Sequence, residues 1–150
     1  REGYLRAARL GGGWGSLDCF RMTADVTEYN LLRSATRLEM RSRVSKIGIG
    51  EPLAGASSLC PQAQNDIYSR DLNYYVGATL SQPAVLRASF VPTLTLYSER
   101  RSEYNAYLRT TPVGGSLNLA RAIGRRSASL GYTVEYGRTE AQPALFCAVF

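Results

Sequence analysis

The sequence predicts an all-β protein, an antiparallel up-and-down transmembrane β-barrel segment of about 6–7 strands that forms a curved open sheet if isolated. Three observations predict it. Apolar residues recur at every second position in segment after segment, which is the period of a strand, whose successive side chains point to opposite faces. The connections between these segments alternate between short and long. No segment holds apolar residues at i, i+3, i+4 and i+7 over several turns, so helices are not expected.

The segments follow in chain order. A glycine-rich stretch from Leu10 opens the chain. Cys19 to Thr27 sets Phe20, Met22, Ala24 and Val26 against Arg21, Thr23, Asp25 and Thr27. Arg37 to Ser45 sets Leu38, Met40 and Val44 against Arg37, Glu39, Arg41 and Arg43. Leu72 to Gln82 carries Tyr74, Val76, Ala78 and Leu80 on its apolar parity. Arg87 to Glu99 carries Phe90, Pro92, Leu94 and Leu96. Val113 to Arg121 is weaker, with Val113, Leu117 and Leu119. Ser127 to Arg138 carries Leu130, Tyr132, Val134 and Tyr136 against Ser129, Gly131, Thr133 and Glu135. Tyr29 to Ala35, Gln82 to Leu86 and Ile123 to Arg126 are short connections. Gly48 to about Tyr68 is long, Glu99 to Tyr104 is charged, and Thr139 begins a further loop. Short turns at one end and long loops at the other are the layout of an outer-membrane barrel.

Alternation alone does not say which face is wet. A soluble sandwich or ligand-binding barrel buries its apolar parity; a membrane barrel turns it towards lipid and fills its lumen with the polar one. Three details favour the membrane. The polar parity is rich in Gly, Ser and Thr interleaved with charge. Of the 18 basic residues all but Lys46 are Arg, which keeps its charge in low-dielectric places and pairs in a forked geometry. Tyr74, Tyr97, Tyr104, Tyr107, Tyr132 and Tyr136 are placed near strand ends, as in an interfacial girdle. On this reading Leu38, Met40, Val76, Leu80, Leu94, Leu96, Leu130, Tyr132 and Val134 face lipid. Arg37, Glu39, Arg41 and Arg43 form a charged lumen stripe, joined by Arg21 and Asp25. The alternative for that stripe is the solvated face of a soluble sheet.

Composition narrows the chemistry. Hydrophobic residues make up 45% of the 150-residue chain, too many for a disordered one. No run approaches the ~20 apolar residues of a membrane-spanning helix. There is no His, which removes the usual general base and the commonest metal ligand. The three cysteines contain no C-x-x-C pair, so no metal site and no cofactor are expected. The net charge of +6 is spread along the chain rather than clustered, so nucleic acid is not an expected partner. The chain starts at Arg1 without a signal peptide and reads as mature or as cut from something longer. Gly11 to Gly15 and Gly48 to Gly50 lack the Gly-Lys-Ser/Thr and the following helix of a phosphate loop. Glu99, Glu103, Glu135 and Glu140 sit at strand ends beside Arg100, Arg101 and Arg138, which suits ion pairing rather than catalysis; the chain is not expected to be an enzyme. Cys60 and Cys147 both fall in loops and are the candidate disulfide, while Cys19 reads as a small inward filler within a strand.

The stretch Leu10 to Arg21, LGGGWGSLDCFR, followed by Glu28 to Leu32, EYNLL, resembles the first strands of Omp85-superfamily barrels. The family usually follows the Asn-Leu pair with Gly; here Arg33 and Ser34 occupy the region. Leu80 to Pro83 is similar to the family's turn after an early strand. Arg100 to Tyr104, Val113 to Leu117 and Leu130 to Tyr136 are similar to its later ones. The resemblance covers nearly the whole chain and implies that residues 1–150 are the N-terminal part of such a barrel, BamA- or TamA-like, without POTRA repeats and without the C-terminal strands. It further implies a bacterial outer-membrane location, with outer-membrane lipids, nascent outer-membrane proteins and accessory assembly lipoproteins as partners. Function would be insertion or translocation, with a weak seam whose exposed edge (Gly11, Gly12, Gly13, Trp14, Gly15, Ser16) templates a client strand. Glycine suits a weak edge because it packs nothing and costs entropy. Its alternative role is a bulge or relief of packing. A passive pore and a soluble barrel binding an apolar ligand are the competing functions.

Overall fold

The computed structural model describes residues 5–16, 18–31, 33–55, 57–61, 70–83, 90–102, 108–123 and 126–141. It has seven strands: β1 (Arg6–Gly15), β2 (Cys19–Leu31), β3 (Thr36–Ile47), β4 (Asn73–Ser81), β5 (Phe90–Ser102), β6 (Leu108–Ile123) and β7 (Arg126–Ala141). They form one open antiparallel sheet in the order β1-β2-β3-β4-β5-β6-β7, each strand paired with its neighbours in sequence. A 3-10 turn, Ser57–Leu59, lies in the long β3–β4 loop. The up-and-down meander read from the sequence is therefore present. The strands extend beyond the alternating segments because strand pairing continues where the side-chain pattern fades; β6 gains Leu108 to Pro112.

The short β2–β3 turn explains the departure from glycine noted above. Arg33 and Ala35 take the left-handed backbone conformation, with φ of 56° and 55°, an arrangement glycine adopts more cheaply. Asn30 offsets that cost locally: its Oδ1 accepts the Ala35 N–H at 3.0 Å, and the Ser34 hydroxyl donates to the Leu31 carbonyl at 2.7 Å. At the other end, the long loop is closed where Glu51 bridges Asp71. Its start is tied down as the Lys46 N–H donates to the Asp18 carbonyl at 2.9 Å.

The sheet has no conventional core. Among the described residues the buried hydrophobic positions are Cys19 and Cys60. These two form a disulfide, which corrects both cysteine expectations: Cys60 pairs with Cys19 rather than Cys147, and Cys19 is not a strand filler. Cys19 is the first residue of β2, leaving the β1–β2 turn at a φ of 53°. That places it at the same end of the sheet as the long loop, where Cys60 can reach it. Spacing in sequence does not carry that proximity. Cys147 lies outside the described residues.

Candidate functional site

The strand register sorts the side chains into two faces in the rows that cross the sheet. One row runs Arg9, Asp25, Arg41, Gly77, Tyr97, Gly114, Glu135, directly opposed from β1 to β7. The next row on that face runs Ala7, Thr27, Glu39, Thr79, Thr95, Ser116, Thr133. The opposite face carries Ala8, Val26, Met40, Ala78, Leu96, Gly115, Val134, and beside it Arg6, Glu28, Leu38, Leu80, Leu94, Leu117, Tyr132, where Arg6 and Glu28 pair with each other at 3.1 Å. All the residues of the charged stripe lie on the first face and all the residues read as lipid-facing lie on the second.

On the polar face the side chains satisfy one another. Arg41 Nε donates to Asp25 Oδ1 at 3.0 Å, Arg37 pairs with Glu39, and Arg21 pairs with Asp18 at 3.4 Å. Arg43 reaches across β4 to Glu99 at 3.8 Å, and the Tyr97 hydroxyl reaches across β6 to donate to Glu135. Two glycines make room for these crossings. A Cβ on Gly114 would lie 2.9 Å from the Tyr97 ring, and one on Gly77 would lie 2.6 Å from the Tyr75 hydroxyl. Hollows of ≈ 440 Å³ and ≈ 420 Å³ open on this side; the second is lined by Thr23, Asp25, Arg41, Arg43, Tyr75 and Glu99 among others. The polar face is thus the one that carries these hollows.

The apolar face is left open. Leu130 is 72% exposed, Tyr132 70%, Leu96 56% and Val76 52%. A contiguous apolar surface of this breadth on a soluble monomer would be unusual. Charged residues bracket it on the same face: Arg109 and Arg121 on β6, Arg126 and Arg138 on β7. At ~3.3 Å per residue and a tilt near ~40°, either span rises roughly 30 Å, enough for a lipid-facing band of ~25 Å.

Among the described residues no strand pairs with the outer side of β1. Its pairing with β2 runs unbroken from Arg6 to Gly15, so the glycines make no bulge there. Gly11 does relieve packing, since a Cβ would meet Thr23 Oγ1 at 2.7 Å. Gly12 and Gly13 are not tightly confined, with their nearest neighbours at 3.9 and 3.4 Å. Ser16 lies in the turn beyond β1 rather than on the edge.

Several contacts differ from the sequence reading. Tyr97 is on the polar face in mid-strand, and Tyr132 sits in the middle of the apolar face opposite Leu117, so neither belongs to a girdle; Tyr104 and Tyr107 lie outside the described residues. Glu99 pairs with Arg43, while its neighbour Arg100 pairs with Asp71, because adjacent residues on a strand point to opposite faces. Glu140 does bind Arg138, at 3.1 Å, and also Arg109. Glu103 lies outside the described residues. Sequence reasoning missed the buried knot of Lys46, Ser102 and Asn73. Lys46 Nζ donates to Ser102 Oγ at 3.0 Å, and Asn73 accepts from the Ser102 N–H at 2.9 Å. The one available signal was that Lys46 is the chain's single lysine. Among the described residues no group of three His, Cys, Asp or Glu is placed to hold a metal ion, and no helix is long and apolar enough to cross a membrane. Comparison of the chain with protein-family models, curated proteins and solved structures yields no match.

Proposed function

We propose that this chain is a stretch of wall from a bacterial outer-membrane β-barrel of the Omp85 type, and that it serves insertion or translocation of outer-membrane proteins by pairing an incoming strand with its β1 edge. One observation carries the membrane part. The apolar parity of seven consecutive strands gathers on one exposed face, bracketed by charge, while the polar parity lines the hollows. A soluble barrel that binds an apolar ligand needs the reverse arrangement, with Leu94, Val134 and Val76 enclosed.

The templating part rests on the edge. An unpaired strand offers N–H and C=O groups to another strand, the physics of β-augmentation. The β1 edge is ten residues long, free of bulges and loosely packed around Gly12 and Gly13. Outer-membrane lipids, nascent barrel proteins and accessory assembly lipoproteins are the partners this reading requires.

Photo-crosslinking tests it. A crosslinker at Gly12 should give adducts with nascent outer-membrane proteins, and one at Thr79, in the middle of the sheet, should give none. Absence of client adducts at Gly12 rejects templating and leaves a passive pore wall. Migration in detergent gels that does not change on heating rejects the membrane barrel itself.

A further inference from the structure

On β6 and β7 the two charged borders of the apolar face are chemically different, although on β1 and β2 the short-turn border holds the paired Arg6 and Glu28. At the long-loop end the arginines are paired within the protein: Arg100 with Asp71, Arg109 with Glu140 and with Asp71 at 3.7 Å, and Arg138 with Glu140 at 3.1 Å. At the short-turn end of β6 and β7 no carboxylate of the described residues contacts Arg121 or Arg126. Arg121 opposes Phe90 and Ala128, and Arg126 opposes Ile123. The two arginines are therefore diagonal neighbours on the apolar face, with Cα atoms roughly 7–8 Å apart. The Arg121 guanidinium lies over the Phe90 ring at 5.1 Å, and its Nε, like that of Arg100 at the other border, is buried without a hydrogen-bond partner. Arg126 is exposed.

We infer that Arg121 and Arg126, with Phe90 as platform, form a binding site for the phosphate of an anionic phospholipid headgroup at the short-turn border of the apolar band. The inference rests on the membrane reading proposed above and adds the lipid class and the residues. The chemistry is specific to this border. Two forked guanidinium groups can share one phosphate, a geometry for which Arg is better suited than Lys. Phe90 holds one of them in place and its ring sits at the depth where aromatic side chains meet headgroups. The matching cations at the opposite border already have carboxylates.

Vesicle binding tests the site. The refolded chain is titrated with phosphatidylcholine vesicles, with and without phosphatidylglycerol. Trp14 is the single tryptophan, is 60% exposed and lies on the apolar face of β1; its emission reports contact with hydrocarbon independently of headgroup preference. Wild type should bind the phosphatidylglycerol vesicles more tightly. Arg121→Gln/Arg126→Gln should lose that preference, by roughly ten-fold or more, while still shifting the Trp14 emission in both vesicles. Arg121→Lys/Arg126→Lys should keep much of it, and Arg9→Gln/Arg70→Gln, with the same charge loss elsewhere, should keep nearly all. A Trp14 shift with no dependence on phosphatidylglycerol overturns the lipid site and leaves the membrane reading standing. So does equal loss in the Arg9/Arg70 pair, which would reduce the effect to net charge. No Trp14 shift in either vesicle overturns the membrane reading and the site with it.

Discussion

The two faces of this sheet share one backbone and meet opposite physical demands. The polar face is self-sufficient. Arg41 has Asp25, Arg43 has Glu99, Tyr97 has Glu135, and the hollows between them admit water. The apolar face confines its ion pairs to its borders, as in Arg6 with Glu28 and Arg138 with Glu140, and between the borders Leu130, Leu96 and Val76 are exposed. On the membrane reading proposed above, the contrast means that the sheet is stabilised from two sides by different media: hydrogen bonds along the strands and ion pairs hold the polar side, and lipid covers the apolar one. A soluble domain of the same strand content would close its apolar face on itself, as packed sheets do.

The largest expected effect breaks the symmetry between neighbours on one strand. Leu94 and Thr95 are adjacent on β5 but face opposite ways. Leu94→Arg should cost ~2–4 kcal/mol of folding stability in vesicles, and Thr95→Arg within about 0.5 kcal/mol. Denaturant titration in lipid measures both, and equal costs would mean that the two faces are not in different media. A smaller effect sharpens the account of the polar face. Gly114→Val places a side chain against the Tyr97 ring and the Val134 carbonyl and should cost about 1–3 kcal/mol by overpacking. Gly131→Val on the same face meets nothing within 4 Å and should be neutral to slightly stabilising, since Val favours strands over Gly. The smallest is electrostatic. Asp25→Asn removes the Arg41 partner; with side chains 70% and 41% exposed, the pair is worth at most ~1 kcal/mol. That difference from wild type should shrink further at high salt, where exposed pairs are screened.

Much of this was legible in the chain itself. The two-residue period of Leu130, Tyr132, Val134 and Tyr136 identified β7 and its faces, and the same reading placed Arg37, Glu39, Arg41 and Arg43 together. Asp25 was expected beside that stripe and does bind Arg41. Side-chain contacts that skip a strand were not legible. Arg43 to Glu99 and Tyr97 to Glu135 depend on Tyr75 and Gly114 lying between them in register, and register is a property of paired strands. The disulfide was misread for a related reason: which cysteines meet depends on how the loop folds back, not on their spacing.

The sequence by itself determined the strands and the sorting of residues into a polar and an apolar parity, because side chains alternate across a strand whatever it pairs with. Tertiary structure alone decided which charges meet across the sheet and that Cys19 holds the long loop through Cys60. Those outcomes depend on curvature and register, which arise only when seven strands are hydrogen-bonded side by side.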